Sequence, residues 1–107
     1  AYKEAFSRLT GDDGSVLIYD GDGDIKNLRV YAYESNTAPA LKITASDDGE
    51  RYINTTVSHE IFVNNEKNYD YLIPTEYKVT PNIEADQYIK LDFNDKVSIV
   101  RVEIDYK

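Results

Sequence analysis

The stretch that decides the fold covers residues 25–33 and reads Ile-Lys-Asn-Leu-Arg-Val-Tyr-Ala-Tyr. Alternate positions from Leu28 to Ala32 are apolar, whereas the residues between them are polar or aromatic. Successive side chains of a β-strand point to opposite faces, so this two-residue period gives a strand one apolar and one polar face. The pattern predicts a strand that packs one face on a core and turns the other outward.

The same period recurs along the rest of the chain. It is clear in Ala40–Ala45, Tyr88–Phe93 and Val97–Tyr106. In the last of these, alternation places Val100 in one inward set with Val102, Ile104 and Tyr106. Weaker strands are predicted at Val16–Asp20, Arg51–Val57, His59–Val63, Tyr69–Ile73 and Glu76–Thr80. Clusters of Gly, Asp and Asn separate the segments and predict turns.

These segments predict an all-β fold. Eight or nine short strands at a spacing of about 8–12 residues are typical of an antiparallel β-sandwich, here jelly-roll-like. Ile and Val together outnumber Leu by 18 to six, and ten of the thirteen aromatic residues are Tyr, which suits strands. The one helix that we expect is a short one over Tyr2–Leu9, where Phe6 and Leu9 lie three residues apart. We expect a single domain over residues 1–107.

Composition excludes several classes of function. The 107 residues carry 12 basic and 20 acidic side chains, so the net charge is −8, and the basic ones are scattered, which argues against nucleic-acid binding. There is no Cys, hence no disulfide framework, thiolate zinc site or thiol nucleophile. No apolar run approaches the roughly 20 residues of a membrane-spanning helix, and no basic amphipathic helix is present, so we expect no membrane insertion.

Catalytic motifs are weak in this sequence. His59 is the only His and is followed by Glu60. No G-x-S-x-G motif supplies a Ser nucleophile, and no second His is available for a catalytic zinc site. We therefore expect no catalytic residues and interpret His59 as a hydrogen-bonded structural residue.

Two acidic loops are candidates for a metal site. Carboxylates that alternate with Gly can converge on one hard cation, and calcium takes six to eight oxygen ligands. The first loop opens like an EF-hand, but Ile25 and Tyr31 stand where that motif has Gly and Glu. The other interpretation is that both loops are ordinary solubilising turns. The candidate calcium ligands are Asp20, Asp22, Asp24, Asp47, Asp48 and Glu50.

Exposed Tyr residues are candidates for partner or ligand binding. Tyr31 and Tyr33 share the polar face of their strand with Arg29, and Tyr69 and Tyr71 share a face of another. Tyr and Arg are enriched in protein interfaces, and a Tyr ring can also stack on a sugar. The alternative is that these rings cover the edges of the core and leave their hydroxyls in water.

Two functions fit these features. The first is a non-enzymatic structural or assembly protein, such as a small virion decoration or accessory subunit on a phage head or tail. It would bind a protein lattice or its own copies through a strand edge or the Tyr-rich face. The second is a calcium-stabilised carbohydrate-binding module of a larger extracellular protein. The closing segments Tyr88–Phe93 and Val97–Tyr106, about 20 residues, are similar to the final strand pair of discoidin-like jelly-roll modules. The expected location is accordingly a virion or an extracellular surface.

Overall fold

The computed structural model describes residues 2–21, 23–36, 38–61, 73–82 and 87–107, with backbone alone for residues 2–8. Within these ranges the chain forms nine strands and no helix. The strands are β1 (Tyr2–Gly11), β2 (Val16–Asp20), β3 (Ile25–Glu34), β4 (Leu41–Ser46), β5 (Ile53–Asn54), β6 (Thr56–Ile61), β7 (Ile73–Thr80), β8 (Tyr88–Phe93) and β9 (Val97–Tyr106).

The strands form two antiparallel sheets that pack face to face, which confirms the predicted all-β sandwich. The first sheet has the order β1-β9-β3-β7-β6, and the second has the order β2-β8-β4-β5. The ladders β1–β9, β2–β8, β3–β7 and β4–β5 are nested, as in one long hairpin folded over on itself. That winding is the jelly-roll arrangement, and β6 adds a further strand at one edge of the first sheet.

The core lies between the inner faces of the sheets. In β3 the predicted alternation holds, because Leu28, Val30 and Ala32 are buried and the residues between them are only partly covered. Ile43 of β4 and Leu91 of β8 supply part of the facing layer from the second sheet. The burial of these apolar side chains is the main favourable contribution to the free energy of folding.

The predicted helix at Tyr2–Leu9 is wrong, because this segment belongs to β1. β1 pairs with β9 from Tyr2↔Asp105 to Gly11↔Val97, with one register shift between Glu4 and Phe6. A helix of about eight residues is marginal by itself, whereas a strand in this position gains a backbone ladder along β9. A pairing partner some ninety residues away is invisible to a local pattern.

The inward set predicted for the last strand is wrong at Val100. On β3, Tyr31 pairs with Arg101 and the next residue, Ala32, pairs with Ile99, so β9 has one extra residue at this point. Such a β-bulge shifts the alternation by one position. Consequently Ile99 and Val102 are both buried although they lie three residues apart, and Val100 is only partly buried.

The predicted strands Arg51–Val57 and His59–Val63 are divided differently in the structure, and residues 62 and 63 lie outside its described part. The break falls at Thr55, where the chain leaves the second sheet after β5 and joins the first sheet as β6. The Thr55 hydroxyl donates to the carbonyl oxygen of Ile43 at 2.8 Å, and Asn82 Nδ2 donates to the carbonyl of Asn54 at 2.9 Å. These bonds hold the crossover. The predicted strand Tyr69–Ile73 lies outside the described residues except for Ile73, which begins β7.

Gly11 is a position at which packing leaves no room for a side chain. A Cβ atom there would lie 2.6 Å from Cε2 of Phe93, which is buried in the core. We expect Gly11→Ala to destabilise the fold by about 1–3 kcal/mol through overpacking. Gly23→Ala is the matched control, since a Cβ atom at residue 23 would have no neighbouring atom within 4 Å. Urea unfolding measures both, and equal free energies of unfolding for the two variants would contradict this packing argument.

Candidate functional site

The sandwich is open along one flank, between β4 of the second sheet and β6 of the first. β5 pairs only with Thr44 and Ala45, so the Leu41–Ile43 half of β4 has no strand on that side among the described strands. β6 is an edge strand whose pairing is with β7. The two sheets therefore diverge from the Thr55 crossover and leave a gap between their edges.

The gap exposes apolar side chains on the inner face of β6. Val57 and Ile61 pair with Val79 and Thr75 of β7, which are both buried. Val57 and Ile61 themselves are 40% and 39% exposed. Their exposure follows from the second sheet, which does not extend far enough to cover this strand.

The gap forms a groove of about 590 Å³, which we call the open groove. Such a volume lies within the range of ligand-binding clefts. Its walls are mainly apolar, with amide and hydroxyl groups at the ends and two basic side chains. The lining residues are Pro39, Leu41, Lys42, Ile43, Asn54, Thr55, Val57, His59, Tyr77 and Asn94.

A buried carboxylate lies behind the wall of the open groove. Glu34 is the last residue of β3, on the same inward face as Ala32, and its side chain is 0% exposed. The Tyr77 hydroxyl and the Ala40 backbone N–H, at 3.2 Å, both donate to Glu34 Oε2. His59 Nε2 lies 2.8 Å from Glu34 Oε1. Both carboxylate oxygens are thus hydrogen-bonded, as a buried charged group requires.

Tyr77 links this carboxylate to the second sheet. Its hydroxyl accepts hydrogen bonds from the backbone N–H groups of Ala40 at 3.0 Å and Leu41 at 3.2 Å, at the start of β4. Burial raises the pKa of Tyr77 well above its ordinary value, and the hydrogen bond to Glu34 is the second largest cause of this rise. The Tyr77 hydroxyl therefore keeps its proton and remains a hydrogen-bond donor to Glu34 over the whole pH range in which proteins are stable.

His59 joins the cluster to the surface of the groove. When the acceptor is a carboxylate, the bond to Glu34 requires the imidazole proton on Nε2. The ring packs against Tyr77 with 4.6 Å between centroids. Nδ1 has no hydrogen-bond partner among the described residues, and His59 lines the groove with its side chain 12% exposed. The interpretation of His59 as a hydrogen-bonded structural residue agrees with this contact.

The sequence patterns above did not single out Glu34 or Tyr77 as site residues, although both carry a signal. Glu34 continues the inward alternation of Val30 and Ala32, so a charged residue stands at a core position. Tyr77 precedes Val79 by two residues in a predicted strand, and both are buried. An ionisable residue in an inward set is the pattern that would have pointed to this cluster.

The two acidic loops lie at the same end of the second sheet. Asp20 of β2 and Ser46 of β4 both pair with Tyr88 of the strand between them. Asp20 Oδ1 accepts a hydrogen bond from Gln87 Nε2 at 3.1 Å. Among the described residues, no three Asp, Glu, His or Cys side chains lie close enough together to hold a metal ion. The candidate ligands Asp24, Asp47 and Glu50 are all among these described residues. Asp22 lies outside the described residues.

Asp48 uses one oxygen within its own turn, at the tip of the nested hairpin. Its Oδ1 accepts hydrogen bonds from the backbone N–H of Arg51 at 2.9 Å and Glu50 at 2.8 Å, and from the Ser46 hydroxyl at 2.8 Å. These donors, with those of Arg51 and Glu50 foremost, lower the pKa of Asp48 to about 2. This geometry gives Asp48 a structural role that needs no metal.

The structure brings Arg29, Tyr31 and Tyr33 together on the outer face of the first sheet, opposite the core. Tyr31 pairs with Glu76 of β7 on one side and with Arg101 of β9 on the other. Burial raises the pKa of the Tyr31 hydroxyl, whereas its hydrogen bond with Arg29 acts in the opposite direction. The face is thus an ordered array of Tyr and charged groups. Tyr69 and Tyr71 lie outside the described residues.

Comparisons with protein-family models, curated proteins and solved structures gave no match for this chain. Among the described residues, no helix has the length and apolar character needed to cross a membrane. Function is therefore inferred from the geometry of this chain itself.

Removing the Tyr77 hydroxyl should destabilise the fold. Tyr77→Phe leaves Glu34 Oε2 without one donor and the Leu41 N–H without its acceptor, and we expect a loss of about 2–3 kcal/mol. Tyr88→Phe is the matched control, because the Tyr88 hydroxyl has no hydrogen bond among the described residues. Chemical denaturation measures both variants, and similar unfolding midpoints would show that the cluster contributes little.

The role of Asp48 can be separated from calcium binding. Because its pKa is depressed, Asp48 stabilises the fold above the ordinary carboxyl pKa, and the contribution is lost as the pH falls through about 2. We expect Asp48→Ala to lower the melting temperature at pH 7 equally in calcium and in a chelator. A loss seen only with calcium would instead indicate that this loop binds the metal.

Proposed function

We propose that this chain is a non-enzymatic assembly protein that binds an extended segment of a partner protein in the open groove. The observation that carries the proposal is the exposed inner face of β6, at Val57 and Ile61, beside the half of β4 that has no described strand on the side away from β8. An edge strand next to uncovered apolar side chains is the setting in which proteins bind a partner by strand addition.

The edge of β4 retains backbone groups for such a strand. The Leu41 N–H bonds to Tyr77 and the Ile43 carbonyl bonds to Thr55, so both residues turn their backbone groups away from β8. In a strand, the N–H and C=O of one residue point to the same side. The Leu41 carbonyl and the Ile43 N–H therefore face the groove, one on each side of Lys42. A partner strand laid along β4 would donate to the first and accept from the second.

The side chains of the groove suit an alternating apolar segment. Residues of the added strand that point inward would cover Val57 and contact Leu41, which both line the groove. A segment that continues along β6 would also cover Ile61. Both walls are held by hydrogen bonds before the segment arrives. Tyr77 and Glu34 bond to the start of β4, and His59 of β6 bonds to Glu34. A preformed groove lowers the conformational entropy cost of binding.

The Glu34–His59 pair supports binding better than nucleophilic catalysis. A carboxylate that orients a histidine also occurs in Ser-His-Asp triads, where the histidine contacts a hydroxyl nucleophile. In the described part of this chain, no Ser or Thr hydroxyl is hydrogen-bonded to His59, and the sequence has no Cys. The partners that we propose are a protein lattice, such as a virion surface, or further copies of this chain.

A peptide library tests the proposal without knowledge of the natural partner. Displayed random peptides are selected on the wild-type protein, and the bound sequences are titrated into isotopically labelled protein. We expect amide chemical-shift changes to concentrate at Leu41–Ile43 and Thr56–Ile61. We expect Val57→Asp to weaken binding at least tenfold, because a buried unpaired charge would face the added strand.

The control for this variant is Val16→Asp, since Val16 is an exposed Val on β2, at the edge of the second sheet opposite to the groove, and does not line the groove. Ile61→Asp repeats the test at a second uncovered position of β6, and amide spectra of all three variants verify that they fold. The proposal fails if selected peptides map to the face with Arg29, Tyr31 and Tyr33, or if Val16→Asp weakens binding as much as Val57→Asp.

A further inference from the structure

We infer that the partner segment places an Asp or Glu side chain directly opposite Lys42. The inference rests on the proposed function and adds the chemistry and the register of the partner. It follows from the two backbone groups left at the edge of β4 and from the charges around the groove.

The backbone fixes which partner residue faces Lys42. The Leu41 carbonyl and the Ile43 N–H flank Lys42, and one pair of hydrogen bonds to them centres a partner residue on that position. This holds whichever direction the added strand runs. Side chains directly opposite each other on paired strands lie on the same face, with Cβ atoms about 4.5–5.5 Å apart. The partner residue that Lys42 meets is therefore set by the register.

The Lys42 ammonium is available for this contact. Its side chain is exposed, and it forms no ion pair among the described residues. Asp92 is its cross-strand neighbour on β8, yet no contact within 4 Å joins the two charges. Lys78, by contrast, lies 3.8 Å from Glu60 and 3.9 Å from Glu76 on the outer face of the first sheet.

The groove differs in charge from the molecule as a whole. The chain carries a net charge of −8, but the described side chains that line the groove include Lys42 and His59 and, among these described residues, no acid. The nearby carboxylate of Glu34 is fully buried and accepts hydrogen bonds on both oxygens. An acidic residue at the groove meets a cation, whereas a basic one meets Lys42 as a like charge. Charge complementarity thus favours an acidic partner segment.

Library peptides selected on the wild-type protein provide the probe. In the peptide that binds the groove most tightly, each Asp or Glu is replaced in turn by its amide. We expect one replacement to weaken binding to the wild-type protein about two- to fivefold, the range of an opposite-charge cross-strand pair. The same replacement should not change the affinity of the peptide for the Lys42→Gln variant. Lys26→Gln, an exposed Lys outside the groove, is the matched control and should behave as wild type.

Charge reversal gives the decisive comparison. Lys42→Glu should prefer the peptide in which the critical acid has become Lys, and wild-type protein should prefer the original peptide. If groove-binding peptides show no acidic preference, or Lys42→Glu leaves the preference unchanged, the inference is overturned while the proposed function stands. If no selected peptide maps to the groove, both are overturned.

Discussion

The buried carboxylate of Glu34 is the constraint on which the open flank depends. Burying an unpaired charge costs several kcal/mol, so its oxygens must be hydrogen-bonded. The donors come from three places: Tyr77 on β7, His59 on β6 and the backbone of Ala40 before β4. Two belong to the first sheet and one to the chain that enters the second. The hydrogen bonds to a single carboxylate therefore join the two sheets at a flank where the described residues supply no further strand.

The groove also follows from the number of strands in each sheet. Among the strands that the structure describes, eight pair within the nested hairpin, and β6 gives the first sheet a fifth strand that has no counterpart in the second. An edge strand without a counterpart leaves its inner side chains uncovered, as Val57 and Ile61 show. The crossover at Thr55 makes this extra strand, because the chain leaves β4 after pairing with only two of its residues. The groove is a consequence of the winding, and the hydrogen bonds to Glu34 link the two sheets beside it.

Local periodicity predicted most strands because a half-buried strand alternates inward and outward residues along the sequence, as β3 and β8 do. It failed where the outcome depends on a distant strand: β1 needs β9, and the bulge at Val100 exists only relative to β3. The site divides in the same way. Alternation along β3 is enough to predict that Glu34 lies at an inward position. Its contacts with His59 and Tyr77 cannot be predicted in this way, because they join residues 25 and 43 positions apart. The groove could not be predicted from local patterns, since it depends on the first sheet having one described strand more than the second.

The hydrogen bonds that close part of the β4 edge explain how an open flank can remain selective. A fully unpaired edge strand is a template for indiscriminate pairing. Here Tyr77 occupies the Leu41 N–H and Thr55 occupies the Ile43 carbonyl, so the edge offers alternate backbone groups and not a continuous ladder. A partner that gains so few backbone bonds must obtain the rest of its affinity from side chains. For the partner segment that we propose, specificity would therefore lie in apolar contact with β6 and in the charge opposite Lys42. These differ from one candidate partner to another, whereas backbone hydrogen bonds do not.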